Sequence, residues 1–216
     1  MTDRERAAEK ARDFFEDLWR QGDYWDFERS PFERERYARL VALLEGRHYP
    51  RVLELGCGAG QFTGLLCPLA GSVIALDISP TAIARARASR PEPGVNFRVA
   101  NIMDYDLRGE GPWDLIVMSE TIYYLGWLFP FVDVAWLAAE LFATTRAGGR
   151  LLLVNTEGGV EDGLIRPWLI RTYHDLFRNV GYRLETEEAL RGTKEGVDIE
   201  VLISLFLKDS SGTDEW

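Results

Sequence analysis

The residues in this chain best suited to chemistry stand close together. Glu54 precedes Gly56, Gly58 and Gly60 in the run VLELGCGAG, Val52 to Gly60. An apolar stretch of strand length stops in a turn where three of five positions carry no side chain, so a ligand can approach bare backbone there. A carboxylate two residues before the first glycine suits a cationic group on that ligand, directly or through water. Asp77 closes the next apolar run, SVIALD, 21 residues after Gly56. An acid in that place accepts hydrogen bonds from ribose hydroxyls, which points to a nucleoside. Ile78, beside it, can pack on a flat base. Cys57 inside the turn reads as a small filler rather than a nucleophile.

These residues need elements to hold them. Short apolar runs at 51–55, 72–77, 95–99, 113–118 and 150–155 read as strands, and the long run IEVLISLFL closes the series. Helical patterns fall between them, at 60–70, from Ser79, and near 132–144 and 167–180. Strands alternating with helices, apolar on both faces, predict a Rossmann-like doubly wound α/β sheet, mostly parallel with an antiparallel last strand. Ligands of such sheets bind beyond the carboxyl ends of the strands, where the glycine turn falls. Two further helices precede the sheet. In residues 2–21, Thr2 and Glu5 can form a capping box, with Ala7, Ala11, Phe14 and Leu18 on one face. In SPFE, Ser30 caps, Pro31 takes the first position and Glu33 closes a second box, with Tyr37, Leu40, Val41 and Leu44 as the stripe. One domain over 1–208 follows: a helical lid at 1–46, a cofactor-binding core at 50–155 and an acceptor side at 156–208. Residues 209–216 are expected to fray.

The glycine spacing is G-x-G-x-G, with Gln61 where a dinucleotide fingerprint places its third glycine. Preceded by Glu54, the pattern resembles the first motif of the class I S-adenosylmethionine-dependent methyltransferases. A closer resemblance, to the small nodulation-type N-methyltransferases, is carried by DYWDFERSPFERERYARL, LELGCGAGQFT, LDISPTAIARARA and DLIVMSETIYYL in that order. It implies S-adenosylmethionine as cofactor, with Glu54 toward its ammonium and Asp77 on its ribose. It also implies a role at the adenine for Asn101, where the class often has Asp, followed by Ile102, with Asp104 as fallback. Ser119 and Glu120 then stand where the class faces cofactor and acceptor, and Arg36 clamps the methionine carboxylate. The other reading of Arg36 is a surface charge on a helix of mixed signs. Trp25 is either a plug between the first two helices or part of the lid.

For the chemistry itself, Glu120 is the first candidate to orient an amine and steer its proton away, and His174 the second. His174 falls beside Ile170 and Phe177 on its helix, where a packing histidine is the commoner outcome. Tyr123, Tyr124 and Trp127, in an aromatic loop at 123–131, are candidates to line the acceptor pocket.

The formal net charge of −10 opposes a nucleic-acid partner, and no basic patch free of interspersed acids offsets it. No apolar run is long enough to span a membrane, and the charged N-terminus has no signal-peptide core. Two cysteines make no disulfide framework, so a reduced cytoplasmic setting is expected. With two histidines and no Cys/His cluster, no metal site is expected. The reading is thus N-methylation of a small-molecule acceptor, an amino sugar or related natural-product amine, by a monomer or homodimer. O-methylation of a similar molecule, a nicotinamide-dependent oxidoreductase and a non-catalytic nucleoside-binding module are the alternatives.

Overall fold

One seven-stranded sheet, in the order β3-β2-β1-β4-β5-β7-β6, organises the computed structural model, which describes residues 2–90, 92–159 and 164–210. Its strands are β1 Tyr49–Leu55, β2 Ala70–Asp77, β3 Val95–Val99, β4 Trp113–Ser119, β5 Thr145–Gly158, β6 Arg183–Lys194 and β7 Val197–Leu207. β1 to β5 are parallel, and β7 runs antiparallel between β5 and β6. The strand order reverses at β1, between β2 and β4, which opens the crevice that the turn after β1 lines.

The two faces of the sheet bury separate cores, as strands apolar on both sides require. On one, Val52, Val73, Val117 and Val154 meet α2 Pro31–Leu44, α3 Gln61–Leu66 and α4 Pro80–Ser89. On the other, Leu53, Ile116, Met118 and Leu153 meet α5 Leu107–Glu110, α6 Ile122–Leu128, α7 Phe131–Thr144 and α8 Pro167–Asn179. The first helix, α1 Asp3–Arg20, lies across the carboxyl ends of the strands and packs on α4 and α6. No helix among the described residues is long and apolar enough to cross a membrane.

Several local expectations change. The Thr2/Glu5 capping box of α1 forms, but the helix buries Ala11 and Trp19, while Phe14 is 37% exposed. Ser30 caps α2 through the Glu33 N–H, yet the Glu33 carboxylate turns inward to Arg36 and Lys194 instead of closing a box. Residues 123–131 are not a loop, since α6 occupies most of them. It has no side-chain cap, is nearly apolar throughout and is held by tertiary packing alone. β6 is an additional strand. Its exposed edge alternates charged residues with little apolar content, a protection against further pairing that hides it from a hydrophobicity reading. Most of the expected C-terminal tail, 211–216, lies outside the described residues.

Candidate active site

The turn after β1 is held by its neighbours in the sheet. The N–H groups of Gly56 and Cys57 both donate to the Leu76 carbonyl, at 2.8 and 2.9 Å. Gly56, Gly58 and Gly60 all have positive φ, a conformation that favours glycine. Two of them are also sterically fixed. A Cβ on Gly56 would run into the Thr121 hydroxyl, and one on Gly58 would stand 2.7 Å from the Trp19 ring. The Asp77 carboxylate then braces the turn, accepting the Gly58 N–H on one oxygen and the Ser79 N–H on the other, both at 2.9 Å. Each oxygen keeps a lone pair for a ligand hydroxyl.

Glu54 and Asp77 are two buried acids at the ends of adjoining strands. Burial pushes Glu54 up to about 8, against one hydrogen bond from Thr63 Oγ1 at 2.5 Å and with the Asp77 charge adding to the rise. Burial likewise raises Asp77 to about 6, despite its backbone donors. Such a pair is relieved by a cation or by hydroxyl donors. The Cys57 thiol, pushed up by burial and by the same acids, is the inert filler its place suggests.

Beyond Asp77 a cleft of about 740 Å³ opens, lined by Ile78 and Asn101 on the sheet side and by Ala8 and Arg12 of α1. The Asn101 amide oxygen accepts from the Met103 N–H at 3.1 Å, leaving one lone pair over. Ile102 does not join this cleft. Its side chain packs into the core and borders a smaller cavity, so the structure separates it from the other cofactor candidates. The acid brace at Asp77 and a neighbouring cleft of mixed polar and apolar lining fit a nucleoside carrying a cationic tail.

The second group of candidates converges at the end of β4. Glu120 takes a left-handed conformation, φ 53°, costly for a side-chain-bearing residue and imposed by its surroundings. Its N–H donates to the Val154 carbonyl at 2.8 Å. Its carboxylate accepts from Arg36 Nη1 at 2.6 Å, from the N–H and Oγ1 of Thr156, both at 3.0 Å, and from the Tyr123 hydroxyl at 2.9 Å. Arg36 is therefore no surface charge, as its side chain is 3% exposed. Ser119, next in line, accepts from Thr121 through its carbonyl. Tyr123 serves Glu120 rather than an open pocket, and burial with the Glu120 charge raises its hydroxyl well above the usual tyrosine range.

Above these residues lies an aromatic roof. Trp25 stacks on Phe27 at 5.7 Å and tilts against Trp19 at 5.5 Å. Phe15 meets Tyr124 edge-on at 4.9 Å. Trp127 is partly exposed, with the Lys10 ammonium 4.4 Å above its ring. Glu16 fastens the roof by accepting from the Ser79 hydroxyl and from the hydroxyl and N–H of Thr81. Burial opposes its charge, but these donors outweigh it and hold the acid at about 2.

His174 lies elsewhere. Its two ring nitrogens meet Ser204 Oγ at 2.8 Å and Asn155 Oδ1 at 3.1 Å, and it is 1% exposed. Burial, with Arg171 and Arg178 nearby, lowers it to about 3. Asn155 and Thr156 point to opposite faces of β5, so His174 and the Glu120 carboxylate stand on opposite sides of the sheet. It is a neutral core residue and not a base for this site.

Trp19, Glu16, Thr63, Thr121, Thr156, Glu33 and Lys194 belong to the site and were not legible from motifs. Only Glu33 and Thr121 carried a signal, as neighbours of Arg36 and Glu120 in the chain.

Sheet order, glycine turn and acid brace define the class I methyltransferase fold. The family model described as Nodulation protein S (NodS) matches residues 7–129, and the chain belongs to that family. The nodulation protein S of Rhizobium tropici is 30% identical over 148 residues, 68% of this chain and 58% of that protein. The chain spans about half the length of the curated relatives it matches, from 48% to 58% of the nodulation proteins of Sinorhizobium fredii and R. tropici. Among solved structures, the N-methyltransferase NodS of Bradyrhizobium japonicum WM9 in complex with S-adenosyl-L-homocysteine superposes with a TM-score of 0.72 at 24% identity. That match covers 87% of this chain and 92% of that one. The 1,6-didemethyltoxoflavin-N1-methyltransferase of Burkholderia thailandensis gives 0.70 at 22% identity, over 97% and 91%.

Proposed function

We propose that this chain moves the methyl group of S-adenosylmethionine to the nitrogen of a small-molecule amine, an amino sugar or a related natural-product amine. The observation that carries the reading is the braced turn. Asp77 holds Gly58 by its N–H and keeps acceptor capacity for ribose hydroxyls, and Ile78 and Asn101, next to it on the sheet side, line a cleft that suits the base. Glu54, on the adjoining strand, carries a buried carboxylate that suits the cationic tail.

When bound, the cofactor supplies a sulfonium-activated methyl group. Transfer breaks one S–C bond, forms one N–C bond and releases a proton from the amine. The chain's part is to align and to exclude water, and alignment alone supplies a large share of such accelerations. The roof of Phe15, Trp19, Trp25 and Tyr124 excludes water. Glu120 offers the negative charge that draws an ammonium and orients its lone pair once the proton has left. The net charge of −10 favours a cationic acceptor over an anionic one.

Calorimetry and a labelled-methyl assay test the reading. S-adenosylhomocysteine is expected to bind in the micromolar range and NAD not at all. In a panel of amino sugars and matched hydroxyl sugars, the amines are expected to take the label. Labelling of hydroxyl sugars alone converts the assignment to O-methylation, and binding of NAD without S-adenosylhomocysteine overturns it.

A further inference from the structure

Four charged side chains run in a row through the site. Lys194 Nζ meets Glu33 Oε1 at 2.5 Å, Glu33 Oε2 meets Arg36 Nη2 at 2.6 Å, and Arg36 Nη1 meets Glu120 Oε1 at 2.6 Å. Glu33 and Arg36 are almost wholly buried, and Lys194 and Glu120 are each 14% exposed. Their charges cancel, which makes the row tolerable in a medium that penalises a lone ion. The Glu120 carboxylate has about four lone-pair sites, and Arg36, Thr156 and Tyr123 fill them. Arg36 still has an unspent donor, since its Nε is buried without a partner. The two side chains therefore block each other. While they are bonded, Glu120 has no room for an acceptor ammonium and Arg36 has no free fork for a cofactor carboxylate.

We propose that this ion pair is an exchange latch that orders binding, cofactor first. Arg36 passes from Glu120 to the carboxylate of the cofactor's amino-acid tail, and Glu120, released, anchors the acceptor's ammonium. Glu33 and Lys194 are positioning residues that keep Arg36 in place while it changes partner. The latch rests on the methyltransferase reading above. Its electrostatics close at each end. Before loading, the row is neutral. After loading, the cofactor carboxylate adds one negative charge to the row and the acceptor ammonium one positive, so the row with these two bound groups is neutral again, the cofactor's own ammonium being left to Glu54. Between the two, a largely buried Glu120 has lost its counter-ion, and that intermediate state favours a cation. Reciprocity requires that each ligand then strengthen the other.

Three probes distinguish the parts: S-adenosylhomocysteine, methylthioadenosine, which lacks the amino-acid tail, and glucosamine as the ammonium. In wild-type protein, S-adenosylhomocysteine is expected to tighten glucosamine binding by about fivefold or more, the lower range of ordinary coupling between sites. Methylthioadenosine is expected to leave it unchanged. Glu120→Gln removes Arg36's rival, so this variant is expected to bind S-adenosylhomocysteine about fivefold or more tightly than wild type, with methylthioadenosine unaffected. Lys194→Gln is expected to weaken S-adenosylhomocysteine but not methylthioadenosine, a split that a general loss of stability does not produce. Equal S-adenosylhomocysteine affinity in wild type and Glu120→Gln, or glucosamine binding indifferent to the tail, overturns the latch alone. Should Glu120→Gln not fold, the wild-type coupling decides. Failure of both nucleosides to bind wild-type protein overturns the methyltransferase reading, and the latch with it.

Discussion

Glu54→Gln should make the ligand-free protein more stable and the cofactor complex weaker. Glu54 is 4% exposed, and its carboxyl has one side-chain donor, Thr63. Burial raises it from an ordinary 4.5 to about 8, so the folded protein holds a proton there that the unfolded chain has released. The sign follows from proton counting. Below 4.5 both states are protonated and nothing is lost. Between 4.5 and about 8 the unfolded state binds fewer protons, so stability falls as pH rises through that window and levels off above it. At roughly 1.4 kcal/mol per pH unit, the loss at pH 7 is on the order of 3 kcal/mol. Asp77 contributes to the rise, so the two acids titrate as a coupled pair. Glutamine keeps an acceptor for Thr63 and has no charge to bury. The variant should therefore unfold several degrees higher than wild type at pH 7.5, at roughly 2–4 °C per kcal/mol for a domain of this size, and match it near pH 4. It should also bind S-adenosylhomocysteine about tenfold or more weakly, having lost the charge for the ammonium. Thermal melts from pH 4 to 9, with and without S-adenosylhomocysteine, make the comparison. A Glu54→Gln protein less stable than wild type at pH 7.5, or parallel pH slopes for the two, would refute a protonated Glu54 in the folded state.

Gly58→Ala forces a side chain into a left-handed position 2.7 Å from the Trp19 ring. It should cost about 1–3 kcal/mol and loosen α1, read as faster hydrogen exchange over residues 11–20, and unchanged protection there refutes the packing of Trp19 on the turn. His174, lowered to about 3, stays neutral in the fold while the unfolded residue charges below about 6.5, so its contribution to stability is lost as pH falls below that value. His174→Gln should abolish this acid slope in urea titrations and leave the pH profile of methyl transfer where it was. A displaced activity profile would restore His174 to the chemistry.

The sequence by itself determined the parts whose causes are local or periodic. Apolar runs bounded by turn residues placed β1 to β5 and β7, because each sends apolar side chains into a core and hydrophobicity reports burial directly, even in the edge strand β3, where only Phe97 is buried. The glycines of the turn, and an acid at the next strand end, were legible because each answers to backbone conformation or to one ligand group. β6 escaped because an edge strand is deliberately polar, and α6 because nothing local starts or caps it. Tertiary structure alone decided the partners of the charged residues. Arg36, on a helix of mixed signs, is buried because Glu33 and Glu120 arrive from either side of it, the second 84 positions away in the chain. Lys194 reaches Glu33 across 161 positions, and Trp19 comes to rest on Gly58 only once α1 crosses the strand ends. A carboxylate's role depends on which cations, hydroxyls and N–H groups surround it in space. Those neighbours come from elements that no spacing rule connects, and only the folded chain brings them together.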